Sequence, residues 1–265
     1  MQKVPLSAVV LTKNEEDNIR PCLESVVGWA DEIIVVDDGS RDNTRQIAGE
    51  QAHRVLSRAT DNEGAQRNWA YAQASREWVL ALDADERVTP ELQDEIDKVL
   101  PGTSCQAFAI PSRNYIGATW VRYGGWYPAS KLKLFRQGRF RYEEVEIHPR
   151  IFVDGETGTL TKDILHRSYR NFEHFLEKLN RHTTLEAQKW LRTGQRMTAG
   201  RISRRTVDRF FRSYLRKRGF KDGLTGFMVA YFASMYQILS YAKYREMREG
   251  GPEHAKIKKE TSEFS

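Results

Sequence analysis

Short apolar runs recur along the first part of the chain, and each one ends in polar residues. Leu6-Ser-Ala-Val-Val-Leu-Thr12 predicts a first strand, Glu32-Ile-Ile-Val-Val36 a second, Arg54-Val-Leu-Ser57 a short third and Trp78-Val-Leu-Ala-Leu82 a fourth. Runs without polar alternation suit strands covered on both faces. Between them the pattern turns helical. Lys13-Asn-Glu-Glu-Asp17 is a polar loop whose Asn14 or Asp17 can cap a helix reaching about Val27. Ser40-Arg-Asp-Asn-Thr44 starts a second helix, and Gly64 opens a third through about Ala74. Strand and helix in alternation predict an α/β fold with a parallel sheet. Right-handed crossovers then bring the strand ends to one edge, where such sheets bind ligands.

Those strand ends carry the candidate chemistry: Thr12-Lys-Asn-Glu15, Asp37-Asp38 and Asp83-Ala-Asp85. Residues i and i+2 of an extended chain point the same way. Asp83 and Asp85 are therefore expected side by side, and two close carboxylates call for a cation between them. A hard divalent ion, with substrate phosphates completing its shell, meets that need. An acidic surface turn is the plainer reading of the same residues, as a turn with a helix cap is of Asp37-Asp38-Gly39-Ser40. The first loop is neither Gly-x-Gly-x-x-Gly nor a P-loop, so phosphate must be neutralised by other means.

Beyond residue 105 the pattern shifts. Phe108–Pro111, Lys131–Phe135 and Ile151–Val153 predict strands, interrupted by Gly124-Gly125 and Gly138. From Asn171 to about Arg192 the spacing of Phe172, Phe175, Leu176 and Leu179 is helical. The expected division is a catalytic domain over 1–165, a helical extension over 166–250 and a polar tail over 251–265. Trp120, Tyr123, Trp126 and Tyr127 surround the glycine pair and form either a sugar-stacking loop or ordinary packing. Gly223 to Ala242 is uncharged, with Leu224, Phe227, Met228, Tyr231, Met235, Ile238, Leu239 and Ala242 in one helical stripe. The basic, aromatic Arg209–Phe220 precedes it. Together they predict membrane contact through about 205–245, with the helix lying in an anionic interface ahead of a packing or dimerisation hairpin, and ahead of a true span.

Composition narrows the class. Hydrophobic residues make up 40% of the 265 and aromatics 11%, which a folded protein needs and a disordered one lacks. The net charge of +6 is concentrated late, in the Arg- and Lys-rich stretch from Arg196 to Lys221. Met1-Gln-Lys-Val-Pro5 leads straight into the first strand without a leader pattern, and Cys22 and Cys105 lack metal spacing. Both features point to reduced cysteines and a cytoplasmic location.

The ordered set "VVLTKNEEDNI", "IIVVDDGSRDNT", "EGAQRNWAYAQA" and "VLALDADE" resembles the family-2 glycosyltransferases. Further on, "KLKLFRQGRFRYEEVEIHPRI", "ILHRSYRNFEHFLEKLNRHTTLEA" and "GFKDGLTGF" resemble the bacterial members that extend lipopolysaccharide core or similar lipid-linked glycans. The resemblance implies a GT-A fold: a Rossmann-like mixed sheet flanked by helices, with a C-terminal helical extension. It implies an inverting transfer of a hexose from a nucleotide sugar, UDP foremost, to a membrane glycolipid at the inner face of the cytoplasmic membrane, with Mg²⁺ or Mn²⁺ as cofactor. Carried over by position, Thr12, Asn14 and Glu15 line the nucleotide pocket, and Asp37 or Asp38 meets base or ribose. Gly64, Arg67 and Asn68 border the same pocket, with Arg67 toward uracil or diphosphate. Asp83 and Asp85 bring the metal, which stabilises the departing diphosphate. His166 is either a third metal ligand or a hydrogen-bonded histidine at a strand end.

The chain departs from the family pattern where Val-His-Glu is expected, reading Glu146-Ile-His148-Pro149 instead. The base that takes the acceptor proton is then Glu146, next Glu144, with His148 as the imidazole alternative. Two other classes compete with the transferase. A phosphohydrolase of the aspartyl-phosphate kind also places Asp-x-Asp after a strand, but wants it after the first. A nucleic-acid-binding module would use the basic 196–221 segment, and the acidic strand ends argue against it.

Overall fold

The computed structural model describes residues 5–59, 62–145 and 150–249. Their chain forms two compact units: one from the described residues of Met1–Asn114 and Tyr127–Ser168, the other from those of Tyr115–Trp126 and Tyr169–Ser265. The 115–126 segment thus belongs with the helices that follow it, although it falls inside the catalytic stretch of the expected division.

The first unit is built on β1 (Leu6–Thr12), β2 (Glu32–Asp37), β3 (Arg54–Ser57) and β4 (Trp78–Asp83), all parallel neighbours. The central two are buried almost throughout, as their unbroken apolar runs require. Four later strands matter for the sheet: β6 (Ala107–Ile110), β9 (Lys131–Arg136), β12 (Thr157–Thr159), and β5 (Glu86–Val88) beside it. The seven-stranded order is β12-β6-β9-β4-β1-β2-β3, with β9 antiparallel to both β4 and β6. The chain runs outward from β1 to β3 and then returns to place β4 on the other side of β1. That reversal opens a crevice at the carboxyl ends of β1 and β4.

The connecting helices are α1 (Glu16–Glu24), α2 (Thr44–Gly49), α3 (Glu63–Ala72) and α4 (Pro90–Val99). α1 stops before the expected Val27, and its N-terminus carries no side-chain cap. α2 starts only at Thr44, because Ser40–Asn43 is tied into the first loop instead. α4 has no counterpart in the expected elements, yet Thr89-Pro90-Glu91 announces it. Thr89 Oγ1 accepts from Leu92 N, and Pro90 occupies the first turn, where a missing N–H costs nothing.

β7 (Ser112–Ile116), β8 (Thr119–Trp120), β10 (Phe140–Tyr142), β11 (Ile151–Val153) and β13 (Ile164–Tyr169) complete the strands. His166 sits within β13, opposite Glu86 of β5. Cys22 and Cys105 are both free, and burial pushes the Cys22 thiol far up, so it packs rather than reacts.

The second unit is helical: α5 (Phe172–Arg192), α6 (Ala199–Phe211), a π-helical turn (Arg212–Arg216), a 3-10 turn (Gly219–Asp222) and α7 (Gly223–Glu249). α7 packs on both α5 and α6. One small core gathers Trp190, Met197, Ile202 and Tyr244, and another Ile116, Val121, Phe175 and Val229. Trp126 packs against the latter, 6.4 Å from the Phe175 ring centroid, which gives it a packing role. Among the described residues no helix is long and apolar enough to cross a membrane.

Candidate active site

Register brings the polar strand ends level. Thr12 pairs with Asp37, and Leu11 with Asp83. The last ladder bonds continue into the loops: Asp38 N donates to Thr12 O, Arg58 N to Asp37 O and Ala84 N to Leu11 O.

At this level two buried side-chain atoms have no partner. Asp37 is fully buried; its Oδ2 accepts from Gly39 N at 3.0 Å and Ser40 N at 2.9 Å, and its Oδ1 accepts nothing. Thr12 Oγ1, on the adjacent strand, is equally unpaired. Buried polar atoms normally find partners, so this pair, level on neighbouring strands, is a candidate ligand position. Asp38 instead turns to Lys13, 2.9 Å away at the surface.

The first loop is held by its own residues. Asn14 adopts φ +52°, the left-handed region that asparagine tolerates, and its Oδ1 accepts from Arg41 N. Glu15 N donates to Thr44 Oγ1, and Glu15 Oε2 accepts from Asn18 Nδ2. Asn14 and Glu15 therefore shape the loop joining β1 to α1 and tie it to the start of α2.

Asp83 and Asp85 diverge. The strand ends at Asp83 and the chain turns through Ala84 and Asp85, so the alternation that would align the carboxylates stops between them. Asp83 Oδ1 meets Arg67 Nη1 at 3.3 Å, and its Oδ2 meets Lys133 Nζ at 3.1 Å. Burial alone would raise the Asp83 carboxyl, but the Lys133 and Arg67 charges outweigh it and hold it well below the usual carboxylate range. Lys133 also bonds the fully buried Glu86, which in turn accepts from Asp83 N. Sequence reasoning gave Lys133 and Glu86 no role. The register of β9 against β6 shifts there, Phe108 facing Leu134 and Ala109 facing Leu132. Lys133 is the extra residue of that bulge, which re-aims its side chain.

Asp85 faces His166 instead. Its Oδ2 lies 3.3 Å from His166 Nε2, and His166 Nδ1 lies 2.8 Å from Asn114 Oδ1. Asn114 Nδ2 donates to Ser112 O, which fixes Oδ1 as the acceptor. Nδ1 of the histidine then carries the proton, and in the neutral ring the Nε2 lone pair points at a carboxylate oxygen. A proton on Nε2 makes that pairing an ion pair, and a metal ion between the two atoms would satisfy both. Two octahedral ligands at about 2.1 Å from a metal and at right angles sit about 3 Å apart, so the Asp85–His166 spacing fits a Mg²⁺- or Mn²⁺-like ion. The expected trio of Asp83, Asp85 and His166 does not assemble: Asp83 is taken by its two cations, and no group of three or more His, Cys, Asp or Glu side chains converges among the described residues.

Three expected pocket residues have work inside the fold. Arg67 bonds Glu63, Tyr71 and Asp83. Asn68 clamps β10, its Oδ1 accepting from Tyr142 N at 2.7 Å and its Nδ2 donating to Tyr142 O at 2.9 Å. Gly64 lies under the 143–145 backbone; a Cβ there would come within 1.9 Å of Glu143 O, so only glycine fits. Glu144 is exposed, with Oε1 3.4 Å from Asn68 Nδ2. Glu146 and His148 lie outside the described residues. On the β9 side of Asp83 a cavity of about 450 Å³ is lined by Arg67, Tyr71, Lys131, Lys133 and Tyr142 among others.

A parallel half-sheet with its crevice at β1 and β4, extended by a mixed half through β9, is the GT-A architecture of nucleotide-sugar transferases. The chain belongs to glycosyl transferase family 2, whose profile matches residues 7–155, more than half of its length. It is a glycosyltransferase, and membership decides against both the phosphohydrolase and the nucleic-acid module. It is 28% identical to the lipopolysaccharide core biosynthesis glycosyltransferase LpsC of Rhizobium meliloti, over 91% of this chain and 92% of that one. It is 25% identical to the uncharacterized glycosyltransferase RT0209 of Rickettsia typhi, over 91% and 87%. Among solved structures it is similar to glucosyl-3-phosphoglycerate synthase of Mycobacterium tuberculosis with Mn²⁺, UDP and glucosyl-3-phosphoglycerate, at 26% identity over 42% of this chain and 44% of that one, TM-score 0.35. It is also similar to S. aureus TarS 1–349 with UDP-GlcNAc, at 16% identity over 93% and 92%, TM-score 0.47.

Proposed function

We propose that the enzyme transfers a hexose from UDP-hexose, with inversion, to a membrane-borne glycolipid such as lipopolysaccharide core. The observation that carries the donor reading is the orphaned pair, Thr12 Oγ1 and Asp37 Oδ1. A uracil ring offers an N–H donor and carbonyl acceptors, which suits a carboxylate oxygen beside a hydroxyl. The acceptor reading is supported by the 91% coverage of the relative named for lipopolysaccharide core biosynthesis.

Asp85 and His166 would hold the divalent ion, which supplies Lewis-acid stabilisation of the diphosphate. Asn114 holds the imidazole in the tautomer that leaves Nε2 available. Asp83, fixed by Lys133 and Arg67, is a preset anion beside the donor and orders the strand end. The cavity next to it gives space for a hexose. A base drawn from Glu146, Glu144 and His148 takes the acceptor hydroxyl proton; the oxygen attacks the anomeric carbon as the bond to the diphosphate breaks, and UDP leaves with that electron pair. The acceptor is reached by peripheral contact with the inner face of the cytoplasmic membrane through about 205–245.

Calorimetric titration of UDP, with and without Mn²⁺, tests this on the wild type and on Asp85→Asn and His166→Gln. The expected result is metal-enhanced UDP binding whose metal dependence disappears in both variants. Metal-independent binding that is identical in all three proteins refutes the Asp85–His166 assignment, and no UDP binding refutes the donor.

A further inference from the structure

Helix α7 buries mostly small and polar positions and leaves several large apolar ones outside. Gly226, Ala230, Ser234, Gln237 and Ser240 are buried, beside the core residues Val229 and Tyr244. Its exposed positions include Leu224 at 76%, with Phe227, Tyr231 and Ile238. A water-facing helix buries its large apolar residues and exposes its small and polar ones. Small residues at the helix–helix contact with large apolar ones outside is instead the pattern of helices that meet lipid. The inward close packing is specific: a Cβ at Gly226 would lie 1.9 Å from Gly219 O.

The apolar surface continues onto the preceding helix. Val207, Phe211 and Leu215 follow each other at four-residue spacing and are each more than half exposed. The Phe210 ring stands 5.8 Å from Phe211 and 6.1 Å from Phe227, which joins the two stripes. Phe220, also exposed, packs 6.3 Å from Tyr214 in the same cluster. Contiguous exposed patches of this kind mark protein or membrane contacts.

Charge selects between those partners. From Ala199 to Asp222 there are nine Arg or Lys against two Asp, a surplus of seven that exceeds the whole chain's net charge of +6. Arg204, Arg212 and Arg216 are exposed amid the Val207–Leu215 stripe. Two copies of so basic a face would repel each other, whereas an anionic surface attracts it.

We propose that this face, with Phe211, Leu215, Leu224, Phe227 and Ile238 as its apolar anchors and Arg204, Arg212 and Arg216 as its cations, lies in the headgroup layer of an anionic phospholipid bilayer. The proposal deepens the membrane contact stated above but does not depend on the donor site. Among the described residues no helix is long and apolar enough to cross, and an exposed apolar stripe flanked by arginines suits a helix lying in the interface.

Co-sedimentation with vesicles tests it, using phosphatidylcholine alone and phosphatidylcholine mixed with phosphatidylglycerol. The wild type is expected to sediment with the anionic vesicles and to be released by salt. The pairs Phe211→Gln/Leu215→Gln and Leu224→Gln/Ile238→Gln are each expected to lower partitioning by about tenfold or more. Their side chains are exposed, so helical circular dichroism stays unchanged. Arg204→Gln/Arg212→Gln/Arg216→Gln is expected to abolish the preference for phosphatidylglycerol. UDP titration of the same variants separates a failed membrane face from a failed donor site, because UDP affinity is expected to be unaltered. Absence of wild-type binding, sedimentation indifferent to the apolar pairs, or loss of a dimer in those pairs without loss of vesicle capture would overturn the proposal.

Discussion

Lys133 Nζ lies 3.1 Å from Asp83 Oδ2 and also bonds the carboxylate of Glu86. One buried cation thus serves two anions, and Arg67 supplies the second positive charge. Glu86 is fully buried and its Oε1 has no partner, so it depends on Lys133. Lys133→Met leaves that carboxylate uncompensated, and chemical denaturation is expected to show a loss of about 3–5 kcal/mol. Lys133→Met combined with Glu86→Leu is expected to recover most of it, since removing both charges removes the desolvation cost. A double variant no more stable than the single one contradicts the pairing.

Thr12→Val separates binding from folding. The hydroxyl has no partner in the free protein, so its replacement by a methyl of equal size is expected to leave the unfolding midpoint unchanged or raised. UDP affinity, read by calorimetry, is expected to fall by about tenfold, the worth of one lost hydrogen bond in a buried site. Equal affinities would remove Thr12 from the nucleotide site.

Glu95 contributes to the acid limb of stability. Burial alone would raise its carboxyl, but Thr161 N, Thr161 Oγ1 and Lys162 N all donate to it and hold it below its ordinary value. A folded-state value below the unfolded one gives stability that is present above about pH 4 and is lost as the pH falls through the folded value. Glu95→Gln is expected to cost about 1 kcal/mol at neutral pH and to flatten the decline of the midpoint in acid, measured by urea unfolding across pH. An unchanged acid slope refutes it.

In the helical unit, Lys243 Nζ lies 2.6–2.9 Å from Asn180 O, Asn180 Oδ1, Thr183 Oγ1 and Thr184 Oγ1, four acceptors that share its three N–H groups. This joins α7 to α5 by a single ammonium. Lys243→Met is expected to lower stability by about 1–3 kcal/mol and to increase amide exchange in both helices. Protection unchanged in α5 would show that the clamp is dispensable.

What the sequence made legible was local. The apolar runs of β1, β2 and β4 marked the sheet, and their polar ends brought Thr12, Asp37, Asp83 and Asp85 to the crevice region before any coordinates. What it hid was relational. Lys133 looks like one of two alternating lysines, and only the bulge against Phe108 and Ala109 turns it onto Asp83. Arg67 and Asn68 match the family's pocket, yet their partners, Asp83 and the Tyr142 backbone, lie far along the chain. Asn114 carries no motif at all and is drawn to His166 by strand pairing. The Gly223–Ala242 stripe was visible as a stripe, but which side of α7 faces outward depends on its packing against α5 and α6.

The most direct test of the account is a crystal structure of the enzyme with UDP and Mn²⁺. Uracil is expected against Thr12 Oγ1 and Asp37 Oδ1, and a Mn²⁺ ion between Asp85 and His166, with Asp83 still paired to Lys133. A nucleotide bound away from the ends of β1 and β2, or a metal held without Asp85 and His166, would contradict it.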